Sequence, residues 1–278
     1  MKNNGLKKLG VGSVGDAYLL DDGRVIIVGK REDSFSNYSD LFEKMRVLDG
    51  KITAVNYPKI YDLIYPCEEY PFGAMVEEFV GGKELRKSKP KLSDSQKKEI
   101  GKVLANFVAE VHGISVEGNK AGEIEINLAK FDRSVAFLKE YLSVEDYENL
   151  VLLKEHYRQL MESKTFCATH GDLNEGNILI GEDGKVSGVI DFGNMEYYIP
   201  EIEFVHMYYF DRVIYDAMVK SYPRKIDEKE IVLLELIVNI RHFKNIRIFE
   251  DKRLESLKRI KSRLAEYLEM QSGAKLDL

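Results

Sequence analysis

The stretch His170-Gly171-Asp172-Leu173-Asn174-Glu175-Gly176-Asn177, followed by Asp191-Phe192-Gly193, decides how the rest of the chain is read. Between Asn177 and Asp191 run two β-rich segments around Gly181 to Gly184, the pattern of a hairpin. Asn177 enters the first strand and Asp191 leaves the second, so an antiparallel pair returns both side chains to the same open end. Asp172 lies in the loop just before them. Oxygen-bearing side chains thereby converge, a donor set that suits Mg²⁺, which takes a few protein oxygens and leaves its other positions to phosphate and water. Phosphoryl transfer requires such an arrangement, with a metal across the phosphates and a carboxylate that orients the attacking hydroxyl and accepts its proton. Singly these residues are bland: Asp or Asn beside glycine is commonly a turn, and a lone histidine is more often a satisfied core residue than a catalyst. Their joint spacing around one hairpin is what the bland readings leave unexplained.

Toward the amino terminus stands Gly10-Val11-Gly12-Ser13-Val14-Gly15. Glycine lets backbone amides approach phosphate oxygens without a Cβ in the way, although many glycine-rich turns bind nothing. A dinucleotide fold needs strand, loop and then helix. Here Ala17-Tyr18-Leu19-Leu20 and Asp22-Gly23 follow, so the loop joins two strands and reads as a flap over phosphates, with Gly10, Gly12, Ser13 and Gly15 as cofactor-binding candidates. Asp16 to Leu20, Arg24 to Val28, Pro58 to Tyr65 and Phe72 to Val80 read as strands, and Ser34 to Leu48 as a helix. Gly81-Gly82 breaks this pattern. Beyond it the chain is mostly helical: one helix starts at Ser93 with Gln96 completing a capping box, and a stretch from Leu128 to Lys164 breaks near Ser143. Long helices are expected near 201–220 and 228–269. The expected architecture is α+β, with a strand-rich nucleotide-binding lobe over residues 1–81 and a mainly helical catalytic and substrate-binding lobe over 82–278.

The chain has 278 residues, 44% hydrophobic and 32% charged, an ordinary balance for a soluble globular protein. A net charge of −6 argues against nucleic acid as a partner. The first ten residues lack the apolar stretch of a secretory signal, and the most apolar run, Ile231 to Ile240, contains Glu235 and Asn239 and is too short to cross a bilayer. Cys67 and Cys167 form no CxxC pair, so one disulfide is formally open but no staple framework or zinc site exists. A cytoplasmic location without membrane association is the expectation.

The segment His170-Gly-Asp172 to Asn177, the hairpin and Asp191-Phe-Gly193 together resemble the catalytic core of the aminoglycoside phosphotransferase family, small-molecule relatives of the protein kinases. The resemblance covers most of the chain in order and implies a bilobal, protein-kinase-like fold. It implies that Asp172 is the catalytic base, that Asn177 and Asp191 are Mg²⁺ ligands, and that His170 holds the catalytic loop. It implies a lysine on the α- and β-phosphates, paired with a helix glutamate; Lys30 and Glu43 are the candidates, although Gly29 precedes Lys30 and the usual lysine position carries Ile27. It also implies that Glu78, Phe79 and Val80 form the joint whose backbone meets the edge of the base of ATP or GTP.

Departures from the protein kinases narrow the acceptor. Asn174 stands two after Asp172, where serine/threonine kinases usually carry lysine, and only six residues separate Gly193 from Pro200, too few for an ordinary activation loop. Glu203 stands where relatives often place an aspartate. The expected reaction is transfer of a γ-phosphoryl group to a hydroxyl of a small molecule, with a cationic aminoglycoside-type antibiotic first and an amino alcohol or sugar second. A nucleotide-binding scaffold without transfer is the reading from another class. Glu201, Glu203, Asp211, Asp216, Glu235 and Glu250 are the acids offered to a cationic acceptor, while the last helix is basic, with Arg241, Lys244, Arg247, Lys252, Arg253, Lys258, Arg259, Lys261 and Arg263.

Overall fold

The computed structural model describes residues 6–115, 118–243 and 250–272. Strands β1 (Lys7–Val11), β2 (Gly15–Leu19), β3 (Val25–Gly29), β4 (Ile60–Ile64) and β5 (Ala74–Glu77) form one antiparallel sheet in the order β1-β2-β3-β5-β4. Local chemistry sets the β2–β3 register, from Gly15 opposite Gly29 to Leu19 opposite Val25. Gly23 closes the turn at φ +85°, and Asp22 Oδ1 accepts the Arg24 N–H at 3.0 Å. Alternation then gathers Tyr18, Ile26, Val28, Ala74 and Val76 into one buried cluster. The helix α1 (Ser34–Arg46) buries Ser34, Tyr38 and Met45, at helical spacing.

Packing groups the chain into two compact units. The first takes in residues as far as Ile114, His170–Glu196 and Asp211–Pro223. Besides the sheet it holds β6 (Lys83–Glu84), α2 (Leu85–Ser88) and α3 (Asp94–His112). Ser93 caps α3 in the expected box with Gln96. After β7 (Cys167–Thr169), which belongs to the second unit, come β8 (Ile178–Ile180) and β9 (Val186–Val189), the hairpin read from the sequence; they form a small sheet in the order β6-β8-β9.

The second unit holds α4 (Lys120–Leu138), α5 (Val144–Ser163), β7 paired with β10 (Glu196–Tyr198), and α6 (Val205–Phe210). Ser143 caps α5 by accepting the Asp146 N–H at 3.1 Å, so the break near Ser143 stands where expected; α4, however, begins at Lys120, capped by Asn119, well before Leu128. The helix expected over 201–220 is interrupted: α6 ends at Phe210, and Asp211 accepts the N–H groups of Val213 and Ile214 to start α7 (Arg212–Ser221), which packs on α3 in the first unit. The chain then returns to the second unit with α8 (Glu228–Phe243), apolar nearly all round and buried, and α9 (Glu250–Ser272). Lys244 and Arg247 of the expected basic helix lie outside the described residues, as does the Glu250 side chain. Among the described residues no helix is long and apolar enough to cross a membrane, and both cysteines are free.

All strands of the large sheet precede Gly81 and most helix follows Gly82, so the chain is α+β, strand-rich first and helical after. The packing units follow another division. The hairpin segment packs with the sheet-bearing residues, because Gly188 bridges to Asn56 and Val189 donates its N–H to the Asn56 carbonyl at 2.9 Å.

Candidate active site

The hairpin pairs Ile178 with Val189, and Ile190 N–H donates to the Asn177 carbonyl at 2.9 Å, which closes its open end. Asp172, Asn177 and Asp191 meet there. The Asn177 amide nitrogen donates to the Asp172 carbonyl at 2.9 Å and to Asp172 Oδ2 at 3.2 Å. Asp191 sits at φ +66°, the one non-glycine residue with positive φ among the described residues. Burial and then the Asp172 charge push its carboxyl up, against the Gly193 backbone N–H, which draws it down. Backbone strain and like charge together at one carboxylate are the mark of a built site rather than of a turn.

His170 holds this loop from beneath. It is fully buried, its Nε2–H donates to the Ile190 carbonyl at 3.1 Å, and its Nδ1 accepts the Asp172 N–H at 3.3 Å. Phe192 packs against it at a tilt with ring centroids 4.5 Å apart, and Phe107 of α3 meets both rings edge-on. Gly171 is required: at φ +78° a Cβ would stand 2.3 Å from the Asn194 carbonyl oxygen.

The glycine loop is a hairpin turn between β1 and β2. Gly12 N–H donates to the Gly15 carbonyl at 2.9 Å, while Gly10 has open space around it and Ser13 is exposed. Gly15 is packed, since a Cβ there would lie 2.1 Å from the Tyr38 hydroxyl and 2.6 Å from the Val28 carbonyl. Lys30 reaches this loop, with Nζ 3.2 Å from the Gly12 carbonyl and 3.0 Å from Asp16 Oδ1. Asp16 also holds Lys8 at 2.6 Å.

The pairing of Lys30 with Glu43 is not formed. Glu43 lies on the exposed face of α1 and pairs with Arg46 at 3.2 Å, because the inward stripe of that helix is Ser34, Tyr38 and Met45. Ile27 pairs with Ala17 and Met75 inside the sheet, where the expected lysine would stand. In the joint, Glu78 N–H donates to the Lys59 carbonyl at 2.8 Å, Phe79 is exposed, and Val80 packs over Gly188. The Ser187 hydroxyl donates to the Gly81 carbonyl at 2.6 Å and anchors the joint to β9. Sequence reading passed over Glu77, the last residue of β5: burial and then the Asp191 charge push its carboxyl up to about 8. Nor does the sequence pattern show the structural work of Asn174, which stands out there only as the absence of a lysine. The adjacent acid pair Glu77-Glu78 was the available signal for the first, and the short spacing from Asp172 for the second.

Most of the acids offered to a cationic acceptor are engaged or buried. Glu201 pairs with Lys164 at 2.8 Å, Asp211 with Lys97 at 3.1 Å and Lys89 at 3.4 Å, and Asp216 with Arg212 at 2.9 Å. Glu203 and Glu235 are buried. On the basic helix, Arg263 lies 3.6 Å over the Tyr209 ring and pairs with Glu266.

Among the described residues no cluster of three or more His, Cys, Asp or Glu side chains could hold a metal. Two carboxylates and one amide remain, and they fit Mg²⁺. The Asn177 nitrogen is turned to Asp172, which leaves its oxygen for a cation, and the mutual repulsion of Asp172 and Asp191 is what a cation relieves.

The sequence profile of the phosphotransferase enzyme family matches residues 6–225. The chain belongs to that family and is a phosphotransferase. Its fold is similar to that of aminoglycoside 2'-phosphotransferase-IIIa in its GDP complex, with TM-score 0.77 and 18% identity over 94% of this chain and 92% of that one. It is also similar to aminoglycoside phosphotransferase APH(2'')-Ib bound to ADP, at TM-score 0.71 and 19% identity over 96% and 95% of the two chains. The macrolide 2'-phosphotransferase MphH of Brachybacterium faecium shares the fold at TM-score 0.62, with 12% identity over 91% and 90%. No curated protein sequence matches the chain.

Proposed function

We propose that the protein transfers the γ-phosphoryl group of ATP or GTP to a hydroxyl of a small molecule in a Mg²⁺-dependent reaction, with Asp172 as base and Asn177 and Asp191 holding the metal. The observation that carries this reading is the Asp172 carboxylate, held by the amide of the hairpin residue Asn177 beside the strained Asp191. In the step, the acceptor O–H gives its proton to Asp172, the acceptor oxygen bonds to the γ-phosphorus, and the bond to the nucleoside diphosphate breaks. Bound Mg²⁺ would neutralise phosphate charge. Gly10, Gly12, Ser13 and Gly15 would offer backbone amides to the phosphates, and Lys30, with Nζ 3.2 Å from the Gly12 carbonyl, would add charge there. The backbone of Glu78, Phe79 and Val80 would meet the base edge. His170 fixes the loop and acts through it.

Aminoglycosides are the first acceptor class, supported by relatives of this fold in complex with gentamicin and kanamycin; on that reading the role is antibiotic resistance in the cytoplasm. A second class, an amino alcohol with a single positive charge or a neutral sugar, is supported by the ion pairs that already occupy Glu201, Asp211 and Asp216, which leave fewer acids for a polycation. The test is nucleotide consumption with Mg²⁺ and ATP or GTP against aminoglycosides, choline-like alcohols and sugars. Acceptor-dependent ADP or GDP formation is expected, and Asp172→Asn should cut it to a small residual rate while nucleotide still binds. Unchanged turnover in that variant would remove Asp172 from the base role, and silence across the panel would favour a nucleotide-binding scaffold.

A further inference from the structure

The catalytic loop carries two amide side chains, and the reaction outlined above uses only Asn177. Asn174 is as fully committed. Its Nδ2 donates to Asp172 Oδ1 at 2.9 Å, and its Oδ1 accepts the Gly176 N–H at 2.7 Å. Its backbone N–H donates to the Asp172 carbonyl at 2.8 Å, and its carbonyl accepts the Asn177 N–H at 3.0 Å. One end of the side chain is therefore anchored in the loop backbone and the other end is aimed at the reactive carboxylate.

The terminal torsion of an aspartate is soft, so a carboxylate with one hydrogen-bonded oxygen can still swing. Here each oxygen has its own amide: Asn174 on Oδ1, and Asn177 on Oδ2 at 3.2 Å. Two donors on two oxygens fix the carboxylate plane. A carboxylate oxygen has two lone-pair sites, so accepting one amide hydrogen bond does not by itself close it to a proton. Both amides are neutral, so they orient the group without the added cation that a lysine would bring, which would favour the ionised form and weaken the base.

We infer that Asn174 is a positioning residue for phosphoryl transfer, whose side-chain N–H sets the rotation of the Asp172 carboxylate toward the acceptor hydroxyl. The inference rests on Asp172 being the base. Near-attack alignment is worth orders of magnitude in rate, and a small misrotation forfeits part of it.

Asn174→Asp separates this role from loop structure. The variant is isosteric, keeps the Oδ1 that accepts the Gly176 N–H, and replaces the donor with an acceptor facing Asp172 Oδ1. Steady-state turnover is read with Mg²⁺, ATP or GTP, and kanamycin, and as hydrolysis of the same nucleotide without it. The expected result is a fall in kcat of about ten- to a hundredfold, with the nucleotide KM within about twofold and Tm unchanged. In the Asp172→Asn background the same substitution should cost nothing further, because no base is left to orient. A kcat within about threefold of the parent, an equal loss in both backgrounds, or a loss matched by weaker nucleotide binding or lower Tm would each overturn the inference. If Asp172→Asn itself turns over normally, the base reading fails first; if that variant is inactive and Asn174→Asp is not, the inference alone fails.

Discussion

Glu77 ends β5 opposite Val25 and directly precedes the joint Glu78 to Val80. Burial, and then the negative charge of Asp191, push its carboxyl from an ordinary 4.5 up to about 8. Between those values the folded chain keeps a proton that the unfolded chain has released. Stability therefore falls as pH rises through that window, and the contribution present below it is lost by about pH 8. Glu77→Gln keeps the shape and removes the ionisation. Relative to the parent, the variant should gain about 1–2 kcal/mol between pH 5 and pH 8, a figure discounted for a half-buried group. Denaturant unfolding at several pH values checks this; parallel profiles for the two proteins would show that the carboxyl titrates alike in both states. Ile27 is the companion lesson at this scale. Counting along Arg24 to Val28 could find the strand, but which residue of a β-branched run faces phosphate depends on register with β2 and β5, and those partners are set by the fold.

Among the elements, the helix α3 was legible to its first residue because its start is written in local chemistry. Gln96 N–H donates to Ser93 Oγ at 3.3 Å and Gln96 Oε1 accepts the Ser93 N–H at 3.0 Å. This cap matters to the site only through packing, since α3 carries the Phe107 that meets His170 and Phe192. Ser93→Ala should cost about 1 kcal/mol of stability and leave turnover unchanged, read as a Tm lowered by a few degrees with the parent's kcat. A loss of kcat at constant Tm would mean that the cap steers the loop. The hairpin of β8 and β9 was equally legible, its turn chemistry being local and Asn177 and Asp191 falling at its two ends by construction. The place of Glu43 was not: helical spacing over Ser34 to Leu48 finds the helix, but the residue falls beside Arg46 because Tyr38 and Met45 turn inward.

For the whole molecule, acids that look available in a sequence are spoken for by partners far along the chain. Lys164 holds Glu230 at 2.6 Å as well as Glu201, and no local pattern announces such a pair. That is why the acceptor could not be read from composition while the class of chemistry could: the site is local in sequence and the charge balance is not. The same contrast sets a test for the chain as a whole. A ligand that binds only the folded state stabilises it by about 2.7 kcal/mol at a hundred times its Kd. In a chain of 278 residues that is a Tm rise of roughly 4–6 °C. Mg²⁺ with ATP or GTP should produce this rise, and chelation of the metal should remove most of it. The reason is electrostatic. Asp172 and Asp191 already repel each other at the open end of the hairpin, and a triphosphate brought there without a cation adds to that repulsion. Thermal scans with each nucleotide, with Mg²⁺ and then with excess EDTA, compare the two states directly. A shift of the same size with and without metal would mean that the nucleotide sits clear of the two carboxylates, and would move the protein from phosphoryl transfer to nucleotide-bound scaffolding.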